Sequence, residues 1–249
     1  MDRRTLLTQS LMGFSAYALL TEARAAVPQD RRMAPRIWLN RQDELARGLA
    51  GGSISQVQWH DGVNAFAGEV DVAALAALIR GAQLRDAGAP FGHDPQKRFV
   101  RFLDEQRQPQ RFAYVTALFS FTRDSVITPH AHKHMASAHK VLDGKVRIRT
   151  FDRVADSDTT ITVRPTLDTV ADVGHAAAMT TAKDNVHWFT AASANAMTFD
   201  VIIDSLDAGQ ESYLIQPVDV LGGTHRADGS IEAPIMSFDA SSARYTAAL

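Results

Sequence analysis

Two histidines two residues apart are the strongest chemical signal in this sequence. His130 and His132 lie in the run Thr-Pro-His-Ala-His-Lys-His-Met at residues 128–135. Residues two apart in a β-strand point to the same face, so both imidazoles can be directed at one point. A third imidazole, His187, lies at the head of another β-type run. The spacing therefore predicts a metal site formed by His130, His132 and His187.

The composition narrows the chemistry of such a site. The chain has nine histidines and no cysteine, which excludes thiolate ligands, disulfides and a cysteine nucleophile. Three neutral imidazoles suit Fe²⁺, and also Ni, Cu, Zn or Mn, and the spacing does not separate these metals. Without a carboxylate ligand the metal would keep its full positive charge, so an incoming anionic ligand would be attracted to it.

The elements that would position these histidines are short β-type runs rich in Val, Ile, Phe, Tyr and Thr. They cover residues 112–122, 140–151, 160–164, 185–189, 196–203 and 213–216, with turn residues between them. Such runs at regular spacing predict an all-β sandwich or barrel. Residues 145–149 alternate between charged and apolar side chains, which predicts Val146 and Ile148 on the core face.

The preceding segment is predicted to be peripheral. Asp71 can cap a helix over residues 72–80, packed outside the core, and a further short helix is possible over 42–49. Residues 88–110 contain Pro, Gly and many charges, and they are expected to form a loop with one short strand at 99–102. We therefore divide the chain into a lead-in with a helix (26–110), a barrel (111–220) and a C-terminal extension (221–249).

Residues 1–25 have the pattern of an export signal. Arg3 and Arg4 are followed by a mildly apolar run and by Ala-Arg-Ala at residues 23–25. This resembles a twin-arginine signal peptide, with a Sec-type signal or an ordinary N-terminal helix as alternatives. We expect the mature chain to start near Ala26, to be exported by the twin-arginine translocation machinery to a bacterial periplasm, and to have no stable membrane anchor.

The charge balance argues against one class of partner. Lys and Arg total 26 and Asp and Glu total 28, for a net charge of -2. A chain of this charge has no extensive basic field to attract phosphate backbones. Nucleic acid is therefore not an expected partner.

Two pairs of segments resemble one enzyme family. His-Ala-His-Lys-His-Met at 130–135 and Lys-Val-Leu-Asp-Gly at 140–144 are similar to the His-Asp-His-Pro-Gly-Met and Lys-Val-Leu-Tyr-Gly segments of the cysteamine dioxygenase and plant cysteine oxidase family, thiol dioxygenases of the cupin superfamily. Asn-Val-His-Trp-Phe-Thr-Ala at 185–191 and Phe-Asp-Val-Ile at 199–202 are similar to its second pair of segments. The resemblance covers roughly residues 114–213 and departs from the family where Lys133-His134 replaces Pro-Gly.

The resemblance implies a cupin double-stranded β-helix with a few peripheral N-terminal helices. It implies a non-haem Fe²⁺ enzyme that adds both atoms of O₂ to a small thiol and forms a sulfinate. It also implies that Asp200 contacts the substrate amine or supports the site, and it places Tyr213 near the site. It gives His134 no ligand role, and strand parity makes His139 an ordinary strand residue.

Two other functions fit the same residues. One is a three-histidine cupin oxygenase that acts on a non-thiol substrate. The other is a non-catalytic periplasmic cupin that binds a metal or a ligand.

Overall fold

The computed structural model describes residues 32–207, 209–210 and 214–248. The proposed export signal (1–25) and Tyr213 both lie outside the described residues. From Met33 onward the chain forms one compact unit. No helix in the described part of the chain has the length and apolar character needed to cross a membrane.

The described chain is mostly β-structure with a helical N-terminal segment. Its helices are α1 (Pro35–Ala50), α2 (Gln56–Phe66), a short 3-10 helix (Ala67–Glu69), α3 (Val72–Arg80) and α4 (Phe238–Thr246). Its strands are β1 (Gln83–Asp86), β2 (Gln96–Arg101), β3 (Val115–Thr122), β4 (Val126–Lys133), β5 (Ala136–Asp143), β6 (Val146–Asp156), β7 (Thr160–Ala171), β8 (Ala176–Met179), β9 (Val186–Ala191), β10 (Asn195–Ile203), β11 (Leu214–Pro217), β12 (Thr224–His225) and β13 (Ile231–Pro234).

These strands form two antiparallel sheets. One has the order β1-β2-β3-β10-β5-β8, and the other has the order β11-β4-β9-β6-β7-β13-β12. Consecutive strands such as β4 and β5 lie in different sheets, so the chain winds back and forth between them, as in a double-stranded β-helix. The prediction of an all-β cupin fold is confirmed.

The interior between the sheets is apolar where the alternation predicted it. Val146 and Ile148 are 0% and 2% exposed, as expected, and they pack with Phe121 and Phe189. The run 140–151 is divided into β5 and β6 by a turn at Gly144, whose φ of 65° is unfavourable for other residues. A Cβ there would also lie 2.2 Å from the carbonyl oxygen of Asn195.

The N-terminal helices cover the outer face of the six-stranded sheet. Trp38 of α1, Trp59 of α2 and Leu75 of α3 share one core cluster with Phe199 of β10. The predicted cap is present, since the Asp71 side chain accepts a hydrogen bond from the backbone N–H of residue 74. Two features were not predicted: α1 begins at residue 35 rather than 42, and α2 begins with a capping box formed by residues 55 and 58.

Strands from outside residues 111–220 extend both sheets. The hairpin β1–β2 adds to the six-stranded sheet through β3, and β12–β13 adds to the other sheet through β7. The expected loop at 88–110 therefore contains the longer strand Gln96–Arg101. The sequence predicted only the last part of β2, because Gln96, Lys97 and Arg98 at its start are polar and only half-buried.

Candidate metal centre

The three predicted histidines meet on one wall of the barrel. β4 and β9 are neighbours, with His130 paired directly opposite His187, and His132 lies two residues further along β4 on the same face. The Nε2 atoms of His130 and His132 are 3.0 Å apart. The ring centroids of the three imidazoles are 4.2–4.9 Å apart, and one donor atom from each ring lies within 4.8 Å of the others. All three nitrogen donors can therefore reach one ion.

The three imidazoles are in the neutral form that metals bind. Burial lowers the pKa of His130 to about 4, and it lowers the pKa of His132 and of His187 well below the ordinary range. Nδ1–H of His130 donates to the Thr128 carbonyl oxygen at 2.8 Å, which leaves the Nε2 lone pair directed at the cluster. Each ring is thus a neutral donor at neutral pH.

The donor set fits a divalent metal. Nδ1 of His132 is buried and has no hydrogen-bond partner in the described part of the chain, although buried polar atoms are normally satisfied. None of the three histidines is paired with a described carboxylate. Three neutral imidazoles without described carboxylate partners, two of them buried and His130 half-buried, are expected of a nitrogen-ligand site, and they favour borderline metals such as Fe²⁺ over Mg²⁺ or Ca²⁺.

The opposite wall carries a carboxylate and a fourth histidine. Asp200 of β10 is paired in register with His139 of β5, and its Oδ2 lies 3.5 Å from Nε2 of His139. Burial raises the pKa of Asp200 well above its ordinary value and lowers the pKa of His139 to about 3. Both shifts favour uncharged forms in this dry part of the barrel.

Sequence reasoning missed His139 as a site residue. Its ring lies 4.9 Å from the ring of Phe189 and 5.1 Å from that of Phe119, and its Nδ1 is 3.1 Å from Thr198 Oγ1. Parity along the chain does not relate His139 to His130 and His132, because His139 lies on a different strand, β5. His139 is two residues after Ser137 on β5, and both line the site.

A cavity of about 360 Å³ lies between these two walls. It is lined by the three clustered histidines, Ser137, His139 and Asp200, and Lys97 of β2 lies at its side. After burial, the positive charge of Lys97 has the largest effect on the pKa of Asp200, which it lowers. The mouth is formed by the loop at 87–95 and by Phe238 of α4. The cavity is large enough for a small organic substrate beside a metal.

The remaining predicted residues lie elsewhere or outside the described chain. His134 has a left-handed φ of 62°, which fits its place at a family glycine, and its Nδ1 is 2.6 Å from Asp207 Oδ2. It is not one of the three clustered histidines. Tyr213 lies outside the described residues, so its role stays a prediction.

A polar network holds the start of β9 in place. The side-chain amide of Asn185 donates to the carbonyl oxygens of His132 (2.7 Å) and Thr180 (3.0 Å). The preceding residue, Asp184, accepts from Thr150 Oγ1 at 3.0 Å and pairs with His60 Nε2 of α2 at 2.8 Å. The network fixes the strand that carries His187 against β4 and against the helices.

Comparison with known proteins supports the resemblance seen in the motifs. Residues 108–204 match the family model PCO_ADO, that of the cysteamine dioxygenases and plant cysteine oxidases. All three clustered histidines and Asp200 lie within this segment. No curated protein matches the chain. The predicted family resemblance is therefore confirmed over residues 108–204.

Several solved structures are similar in part. A vicilin from Capsicum annuum is 13% identical, with a TM-score of 0.37, and the match covers 53% of this chain and 34% of the vicilin. An uncharacterized conserved protein with a double-stranded β-helix domain from Klebsiella pneumoniae is 15% identical, with a TM-score of 0.33, and the match covers 51% of this chain and 84% of that protein. KdgF from Halomonas sp. is 14% identical, with a TM-score of 0.33, and the match covers 49% of this chain and 86% of KdgF. The chain thus spans about a third of the vicilin, and the fold assignment depends on the sheet topology described above.

Proposed function

We propose that this protein is an exported non-haem iron dioxygenase that converts a small thiol and O₂ into a sulfinate. The observation that carries the proposal is the buried cluster of His130, His132 and His187, free of described carboxylate partners, within the segment that matches a thiol dioxygenase family. A metal held by neutral ligands keeps the charge that attracts a thiolate.

The reaction balances without a second reductant. A thiol and one O₂ give one sulfinic acid, with the sulfur oxidised and both oxygen atoms retained in the product. Bound iron would supply the place where sulfur and dioxygen react.

The residues of the chain bind and orient the substrate. Asp200, on the wall opposite the histidines, is the acceptor for a polar group next to the thiol. His139 fixes the Asp200 carboxyl through the 3.5 Å contact, and Phe119 and Phe189 hold the His139 ring. The rings also keep water from this end of the cavity, which strengthens the polar contacts inside.

The proposal is tested by product analysis with labelled oxygen. Iron-loaded protein, a panel of small thiols and ¹⁸O₂ should give a sulfinate that carries both labelled atoms. Label from water in place of O₂ would contradict the dioxygenase reaction. Oxygen uptake with carbon substrates alone would favour the non-thiol oxygenase, and metal binding with no turnover would favour the binding cupin.

Export is a separate part of the proposal, and it is supported by Arg3 and Arg4 before the apolar run. The Arg3→Lys/Arg4→Lys double variant should remain in the cytoplasm of a bacterial host, whereas the unaltered chain should reach the periplasm. Cell fractionation measures this directly. Normal export of the double variant would contradict the twin-arginine route but not the presence of a signal peptide.

A further inference from the structure

A second and larger cavity adjoins the metal centre. It has a volume of about 1180 Å³ and lies over the hairpin β1–β2 and the segment 109–116. Lys97, Met135, Ile202 and Ile215 line both cavities. A ligand in the small cavity can therefore extend past these four side chains into the larger one, which we call the hairpin groove.

The sheet register gives the distance between the two ends of this path. Arg85 of β1 is opposite Phe99 of β2, Phe99 is opposite Ala117, and Ala117 is opposite Asp200. Directly paired residues share a face of the sheet. Three strand spacings of about 4.8 Å put the backbone of Arg85 about 14 Å from that of Asp200.

The hairpin groove is strongly cationic in a chain that is slightly acidic. Its lining includes Lys97, Arg85, Arg101 and Arg111, against one acid, Asp204. The whole chain has a net charge of -2, so this concentration of positive charge is local.

The arginines of the groove lack carboxylate partners among the described residues. In the described part of the chain, none of the three arginines forms an ion pair with a carboxylate. The Arg85 guanidinium lies 5.1 Å from the ring centroid of Phe99, and Lys97 Nζ lies at the same distance from that ring. An aromatic floor with unpaired guanidinium groups around it is suited to an organic anion, because arginine binds carboxylate and phosphate through two parallel hydrogen bonds.

We propose that the natural substrate is a thiol whose far end carries carboxylate or phosphate groups, on the order of 10–15 Å from the sulfur. The sulfur end occupies the small cavity, and the anionic end binds Arg85, Arg101 and Arg111 in the hairpin groove. This inference takes the thiol reaction from the proposed function and adds the substrate class. The charge of the groove favours a small organic anion, and the site cavity of about 360 Å³ takes the thiol end.

Matched thiols that differ only in distal charge test the inference. The phosphate pair is 4′-phosphopantetheine and pantetheine, and the carboxylate pair is glutathione and its dimethyl ester. We expect kcat/KM for sulfinate formation to be about ten-fold higher for the anionic member of at least one pair, the effect of one charge-assisted hydrogen bond. The pair that shows the preference identifies which anion the groove binds, and higher salt should reduce the preference.

The Arg85→Gln/Arg101→Gln double variant should bring this ratio close to one. Arg80→Gln is the matched control, because Arg80 is an exposed arginine at the end of α3 that lines neither cavity. Equal kcat/KM within both pairs would overturn the inference, and so would a preference that survives the double variant.

A binding measurement separates this inference from the proposed reaction. S-methylated members of each pair cannot form a sulfinate, and their binding to the metal-free protein can be followed by calorimetry. Charge-dependent binding that is lost in the double variant would support anion binding by the hairpin groove, even if no sulfinate were ever detected. Sulfinate formation from thiols with no charge-dependent binding would support the reaction and refute the groove.

Discussion

Two buried histidines in this protein, His60 and His187, have similar exposure, and their pKa values are shifted in opposite directions. His60 of α2 is 4% exposed and His187 of β9 is 1% exposed. Nδ1 of His60 is 2.9 Å from Asp61 Oδ1, and its Nε2 is 2.8 Å from Asp184 Oδ2. The neighbours of His187 are instead the imidazoles of His130 and His132.

The neighbours decide the protonation of each cluster. Burial would lower the pKa of His60, but the hydrogen bonds to Asp184 and Asp61 outweigh it and raise the pKa. Burial lowers the pKa of His187, and the nearby imidazoles lower it further. A buried histidine beside carboxylates therefore keeps its proton to higher pH than usual, whereas buried histidines that face one another lose theirs more easily and are suited to share a metal.

The largest effect is expected from removing a histidine of the neutral cluster. His187→Ala should weaken iron binding by about 100-fold or more. Even the mutation of a residue that only hydrogen-bonds to a metal ligand typically lowers metal affinity by about 10–100-fold. Metal content after dialysis and X-ray absorption, which should show nitrogen ligands at about 2.0–2.2 Å in the unaltered protein, measure this. His225→Ala, at an exposed histidine of β12, is the control, and full iron occupancy in His187→Ala would refute the three-histidine site.

A smaller effect is expected at the carboxylate across the cavity. Asp200→Asn should keep the metal, because Asp200 is paired with His139 and not with the three clustered histidines. The ammonium of an aminothiol favours the charged form of Asp200, so kcat/KM for aminothiols should fall about ten-fold in the variant, the effect of losing a charge-assisted hydrogen bond worth roughly 1.5–3 kcal/mol. Thiols without an amine should lose much less. Equal losses for both kinds of thiol would show that Asp200 acts on the structure of the site.

The cluster of His60, Asp61 and Asp184 should make the stability of the protein depend on pH. Because the pKa of folded His60 is raised above its usual 6.5, its contribution is complete below about pH 6.5 and is lost as pH rises through the folded pKa. Hydrogen bonds from His60, Thr166 and Thr150 outweigh burial and lower the pKa of Asp184, so its contribution is lost only as pH falls below its usual 3.8. Lys183 also faces the cluster, since it forms an ion pair with Asp61.

His60→Gln, which cannot be protonated, should therefore reduce the free energy of unfolding most between about pH 4 and 6.5, by roughly 1.5–3 kcal/mol. The difference from the unaltered protein should shrink at pH 8–9, and denaturant unfolding at several pH values measures it. Asp184→Asn should lower stability more than Asp61→Asn, because the Asp61 side chain is 56% exposed against 18% for Asp184. If the loss of unfolding free energy in His60→Gln were constant from pH 5 to 9, it would contradict the raised pKa of His60.

Local features of the sequence accounted for much of the fold. The β-type runs, the alternation at Val146 and Ile148 and the Asp71 cap all depend on residues close together in the chain, and the structure agrees with each. The edge strand β1 was not predicted, because all four of its residues are exposed, and β2 was predicted only over its last residues. The C-terminal strands β12 and β13 were also not predicted, because they are short and β12 is exposed.

The sequence by itself determined the metal-binding chemistry. His130 and His132 must share a face of any strand they occupy, and the absence of cysteine leaves imidazole and oxygen as the ligands. Only the tertiary structure decided which side chains face them. Strand pairing brings His139 to Asp200 across 61 residues, and the packing of α2 brings His60 to Asp184 across 124. Those contacts depend on sheet register and helix packing, which no local pattern specifies, and they decide which buried histidines have a lowered pKa and which has a raised one.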